Sequence, residues 1–348
     1  MTTSTLRTDP PATSKRGGAG FLDLAWVTWR QYRWLVLGTA LAVAAVSGFL
    51  LWSHFAASGL PPCGNACPDG GASPGLEAIA RRVGLLEYPV LLFAGLVAAF
   101  WGAPLLSQEY EHRTHLWAWT QDVSPTRWLS TRLLALCATL TVLTGLLGLT
   151  GTLVTQYLHS QDSSAFHPYQ SMSFDLWPPL QIGYVLFGFA LGVAVSAVAR
   201  RTVIAMLVTV LGFAAVRVFV AEFLRPHYLT PLRQATPLGQ QAKLEGANLI
   251  TGTGYLHTSG ATMPQNGELV AECRKLAEQV SPSNATYSQV QAEMSKCLTE
   301  RGWTQTYLDY QPDARVLPIQ LVETGLYLGL AIVLLVLAVR LVRRTATL

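Results

Sequence analysis

The densest set of chemically capable side chains lies in "LLSQEYEHRTHLWAWTQDVSPTRWLSTRLL", Leu105 to Leu134. It holds Glu109, Glu111 and Asp122, Arg113, Arg127 and Arg132, His112 and His115, and three tryptophans. Two histidines three apart beside two glutamates suggest a metal site, but a solvated interfacial helix explains the same residues better. No HExxH or GxSxG set is present, and no G-x-x-x-x-G-K-[ST] loop that would cradle nucleotide phosphates. The remaining chemistry is recognition. Mixed charge interleaved with tryptophan suits a surface held at headgroup depth that binds a soluble partner.

A second set is sparse and apolar in context: Arg217, Glu222 and Glu323. Ionisable groups within apolar spans are costly and usually functional. An Arg217–Glu323 or Arg217–Glu222 pair would serve as a structural lock or part of an outer gate, unless Arg217 snorkels to headgroups. No acidic residues run through the middle of the spans. This argues against a proton-coupled carrier and places the energy source in another chain.

These sets need elements to position them. The chain has 348 residues, 51% hydrophobic and 13% charged. Soluble domains carry about 25% charged residues, so the composition is that of a multi-span membrane protein. Six apolar runs reach the ~20 residues needed to cross a bilayer: 34–52, 88–106, 133–157, 180–199, 202–221 and 318–342. The expected fold is an all-α membrane protein with six transmembrane helices. Residues 1–19 form a polar, disordered tail and 20–33 an interfacial amphipathic helix, or else a plain extension of span one. Spans one to five occupy 34–222, an extracytoplasmic subdomain 223–317, and span six with its tail 318–348.

Arginine and lysine set the orientation. The N-terminal segment, the Leu105–Leu134 stretch, the Arg200-Arg201 hairpin tip and the C-terminus are basic and share one side. Both termini are therefore expected in the cytoplasm. Cys63 and Cys67, then Cys273 and Cys297, fall on the opposite side, where disulfides persist. Cys63–Cys67 and Cys273–Cys297 are the expected bonds; free thiols or cross-loop pairing are the alternatives. Two amphipathic helices, "GELVAECRKLAEQV" and "YSQVQAEMSKCLTERG", are expected in the last loop. Gly188, Gly192 and Ser196, with Gly145, Gly148 and Gly151, mark close helix contacts, either internal or between subunits.

The stretch "QEYEHRTHLWAWTQDVSPTRWLSTRLL" resembles the loop between spans two and three of bacterial ABC-2-type transporter permeases, with their E-x-E-x-G-T-H…AWTQ-x-V…R-W-L pattern. "DYQPDARVLPIQLVETGLYLGLAI" is similar to their entry into span six. Arg113 stands where many relatives have glycine, which puts the local turn in doubt. The resemblance implies a non-catalytic permease subunit of an exporter for a lipid, drug or antibiotic-like molecule, in the bacterial plasma membrane. It implies a homodimer or heterodimer of permeases and a separate ABC ATPase that binds ATP and Mg. This chain itself would need no cofactor or metal, and its surroundings are a lipid bilayer, not nucleic acid. The ATPase-coupling residues carried over are Glu109, Glu111, Arg113, Thr114, His115 and Arg127. A membrane-bound immunity or sensor protein that binds a ligand through the large loop is the alternative.

Overall fold

The computed structural model describes residues 21–60, 73–111, 125–162, 165–199, 201–240, 242, 244, 248–280 and 286–346. Arg113, Thr114, His115, Cys63 and Cys67, and the 1–19 tail, lie outside them.

Among the described residues, six helical segments are long and apolar enough to cross a membrane: Ala25–Ser58, Pro74–Glu111, Thr126–Gln161, Pro178–Ala199, Thr202–His227 and Asp313–Arg344. Each contains one of the apolar runs, because only a helix satisfies its own backbone in hydrocarbon. The first is one helix, α1 (Phe21–Ser58). It continues through the 33/34 boundary expected between an interfacial helix and span one. Neither proline nor glycine stands at that junction to break it. The second begins with α2 (Pro74–Gly84), capped by the Ser73 hydroxyl, which accepts from Leu76 N. It proceeds through α3 (Glu87–Val97), a π turn at Ala98–Gly102, and α4 (Pro104–Glu111). Then follow α5 (Pro125–Gln161), the short α6 (Ser171–Asp175), α7 (Pro178–Ala199) and α8 (Thr202–Phe219). A second π turn, Val220–Leu224, and a 3₁₀ turn, Arg225–His227, close this span. The last helix is α11 (Val316–Ala346).

Helix α7 is the central element. Its buried residues lie on every side, from Leu180 and Tyr184 to Phe189 and Val193, as expected of a helix apolar all round. Glycine lets its neighbours approach. A Cβ on Gly192 would stand 2.5 Å from Ala98 O, and one on Gly102 2.5 Å from Phe189 O. The π turn of span two thus packs directly on the α7 backbone. Gly188 meets Ala94 O in the same way, and Gly148 and Gly151 meet the Leu176–Pro178 segment. These glycines serve internal contacts. Large apolar side chains such as Leu41, Val203 and Ile332 point outward.

The polar segment between spans five and six differs from the all-α expectation. Its described residues form four antiparallel strands, β1 (Leu232–Pro237), β2 (Asn248–His257), β3 (Thr262–Pro264) and β4 (Trp303–Pro312), in the order β1-β4-β2-β3. "LITGTGYLH" and "WTQTYLDYQ" are rich in Thr, Tyr, Trp and Leu, residues that suit a half-buried pleat. Their pairing is long-range, Leu232 opposite Tyr310 and Tyr255 opposite Thr306, so local helical periodicity did not betray it. The two amphipathic helices are present as α9 (Glu268–Val280) and α10 (Tyr287–Glu300). Cys273 and Cys297 join them, with 5.7 Å between Cα atoms. Val270, Ala277, Met294, Leu298 and Tyr255 form a small core of their own.

Candidate functional site

Two polar clusters sit at opposite ends of the bundle. The first lies where α4 ends and α5 and α8 begin. Glu109 pairs with Arg132 of α5, and the same guanidinium donates to the Gln31 side-chain carbonyl of α1. Arg132 is 2% exposed. Its plane lies 4.4 Å from the Trp128 ring centroid and 5.3 Å from that of Tyr32, so two aromatic faces and two oxygens replace its lost water. Arg132 therefore ties α1, α4 and α5 together.

Glu111 does a different job. Its Oε2 accepts from Thr202 N at 3.2 Å and from Thr202 Oγ1 at 2.8 Å. Thr202 opens α8, whose first N–H groups have no partner inside the helix. A carboxylate there satisfies one donor and complements the positive helix end. Arg127 stands in the first turn of α5, and its carbonyl accepts from the Ser130 and Thr131 hydroxyls. Of the six coupling candidates, Glu109, Glu111 and Arg127 are described, and both carboxylates are engaged within the bundle.

The second cluster lies at the other end. Asp175 of α6, Tyr184 of α7, Arg217 and Arg225 at the end of span five and Glu323 of α11 converge on one point. Arg217 pairs with Asp175 and, at 3.3 Å, with Glu323. Arg225 reaches Asp175 at 3.0 Å and Glu323 at 2.9 Å. Tyr184 Oη lies 2.7 Å from Glu323 Oε1 and 3.1 Å from Asp175 Oδ1. Glu323 is 0% exposed and Asp175 2%. The guanidinium of Arg217 stacks 4.0 Å from the Tyr184 ring centroid and that of Arg225 4.1 Å from Phe174. Two cations and two anions cancel, and each is hydrogen-bonded. Those are the conditions under which buried charge is tolerated.

Arg217 and Glu323 thus meet, while Glu222 is exposed and stands apart from the cluster. Asp175, Tyr184 and Arg225 escaped the sequence reading. In a regular α-helix, eight residues leave Arg225 about 80° round from Arg217. The π turn between them takes up an extra residue and returns both to one face. Asp175 reads as an ordinary loop acid. Its only local signal is its position just before Trp177-Pro178-Pro179, at the mouth of a span.

Among the described residues, no group of three or more His, Cys, Asp or Glu side chains could hold a metal ion. The arrangement suits mechanical linkage between helices. A family model described as ABC-2 membrane transporter related matches residues 34–225. No curated protein and no solved structure matches the chain.

Proposed function

This chain belongs to the ABC-2 membrane transporter related family, and we propose that it is the membrane-spanning subunit of an ATP-driven exporter, energised by a separate ABC ATPase. The matched region covers most of the first span, all of the next three and nearly all of the fifth, so the resemblance lies in the transport body. The observation that carries the reading further is the position of Glu109 and Glu111. They fasten the closing segment of α4 to α5, through Arg132 to α1, and to the start of α8. A push on that segment by a docked ATPase would reach α1, α5 and α8 together.

In this reading the end bearing Glu109 and Glu111 faces the cytoplasm of a bacterial cell, as its excess of arginine favours. Arg127, with Arg113, Thr114 and His115 beyond the described residues, would then meet the ATPase. ATP and Mg belong to that partner. The Asp175–Arg217–Arg225–Glu323 cluster closes the outer end, and export requires its ion pairs to exchange or part. Two permease chains, identical or different, would form the pathway for a lipid, drug or antibiotic-like molecule.

Co-expression with a cognate ABC ATPase tests this. The two should copurify, and the chain should stimulate ATP hydrolysis; Arg127→Glu should abolish the association. Full ATP-driven transport activity in preparations free of any ATPase, or failure to copurify, sinks the proposal. The second outcome would favour a ligand sensor built on the β1–β4 domain.

A further inference from the structure

A cavity of about 420 Å³ opens beside the buried ion cluster, between α5, the segment preceding α7, and the start of span six. This volume falls in the range of sites for small organic ligands. Phe166 and Trp177 supply aromatic faces, Gln156 and Gln320 supply amides, and His159 and Asp313 stand at the polar side. Among the described lining residues Asp313 is the one carboxylate, and none is Lys or Arg. Arg315, the nearest cation along the chain, is committed elsewhere. It donates to Thr230 O at 2.6 Å and to Gln311 Oε1 at 2.8 Å. The His159 ring is anchored through Nδ1, 2.9 Å from Ala165 O; a carbonyl only accepts, so this nitrogen carries a proton.

We propose that this cavity binds an organic cation with aromatic or apolar bulk, and that this is the chemical class of the exported molecule. Trp177 and Phe166 offer negative ring faces to a cation, and Asp313 offers the counter-charge without a competing Lys or Arg. The walls belong to the elements that hold the ion cluster. Gln320 precedes Glu323 by one turn and donates to Phe174 O at 2.9 Å, and Ser173 lies two residues before Asp175. An occupant therefore bears on the carriers of both buried carboxylates. Loading the cavity would loosen the outer closure.

Only the word "exported" rests on the permease reading; binding stands or falls by itself. The full chain, purified in a neutral maltoside detergent without ATPase, is tested by equilibrium dialysis with tetraphenylphosphonium and with its anionic isostere tetraphenylborate. The expected result is saturable binding of the phosphonium, with one site per chain. Asp313→Asn should weaken it at least tenfold. Asparagine still caps Ala314 N, which Asp313 Oδ1 accepts from at 2.7 Å, so the helix start is preserved. Trp177→Ala should weaken it similarly, and Glu293→Gln, in the exposed Glu293–Lys296 pair, should leave it unchanged. Equal saturable binding of the borate, or phosphonium binding indifferent to Asp313→Asn, overturns the proposal. If ATPase-coupled transport is found without phosphonium binding, the cavity assignment alone fails. If binding is found without any ATPase coupling, the permease reading fails and the site remains.

Discussion

Arg225 grips Glu323 with two hydrogen bonds of 2.9 Å, Nε to one carboxylate oxygen and Nη2 to the other. The pair joins the end of span five to span six at a depth where Glu323 has no solvent exposure. Removing one partner of such a pair leaves an uncompensated buried charge, at a cost of about 3–5 kcal/mol. Glu323→Ala should lower unfolding stability by that order. The Glu323→Ala/Arg225→Ala double variant should lose less than the sum of the singles, because the second change removes the charge stranded by the first. Thermal unfolding of the detergent-solubilised protein measures both. Additive losses would show that the pair is energetically idle.

Two carboxylates only two residues apart should behave differently. Glu109→Ala strands the buried Arg132, again at about 3–5 kcal/mol. Glu111→Ala removes a helix-end acceptor at the exposed start of α8, typically about 1 kcal/mol. The second change should also speed amide exchange in the first turn of α8. Hydrogen exchange with mass spectrometry reads that local effect, and equal losses from the two variants would contradict the assigned contacts.

The contact between α7 and the span-two π turn leaves no room for a methyl group. On Gly192 a Cβ would meet Ala98 O at 2.5 Å and Ala103 N at 2.7 Å, both backbone atoms. Gly192→Ala should therefore destabilise by roughly 1–3 kcal/mol, the usual cost of overpacking. Gly325→Ala, with nothing within 4 Å of its Cβ, should be neutral or slightly stabilising, by up to about 1 kcal/mol. A matched thermal-shift pair decides the point.

The Cys273–Cys297 bond closes a loop with a sequence separation of 24. Opening a loop of that size costs about 3 kcal/mol in the chain-entropy account. The Cys273→Ser/Cys297→Ser variant should make the α9–α10 hairpin readily cleaved by protease, with the helical bundle still intact. Unchanged cleavage would mean that the small core around Tyr255 and Leu298 suffices.

His167 provides the pH dependence. Burial and the nearby His159 hold its imidazole below the ordinary value, against the pull of Asp313. The folded protein thus takes up this proton at lower pH than the unfolded chain, whose histidine titrates near 6.5. The stabilisation is fully present above about pH 6.5 and is lost as pH falls toward the depressed value. Tyr169 N donates to His167 Nδ1 at 3.3 Å, a bond that the protonated ring cannot accept. Melting temperature should fall slightly below pH 6.5, and His167→Gln should flatten that part of the curve.

Composition and apolar run length determined by themselves that this is a multi-pass membrane protein with six helices long and apolar enough to span a bilayer. Hydrocarbon leaves the backbone few alternatives, and each span therefore carries its own signal. The pairing of α9 with α10 was also local enough to read, since each amphipathic stripe presents one cysteine. Charge alone marked Arg217 and Glu323, because an ionisable residue in an apolar run stands out. Tertiary structure decided what surrounds them. A π turn brought Arg225 onto the face of Arg217, and a loop acid, Asp175, was carried into the bundle by the chain reversal before α7. The β-sheet likewise depends on partners far apart in the sequence, such as Leu232 and Tyr310, whose pairing no local period records. Glu109 and Glu111 were legible as a charged pair. Which helix each would fasten was settled only when α1, α5 and α8 came together around the end of α4.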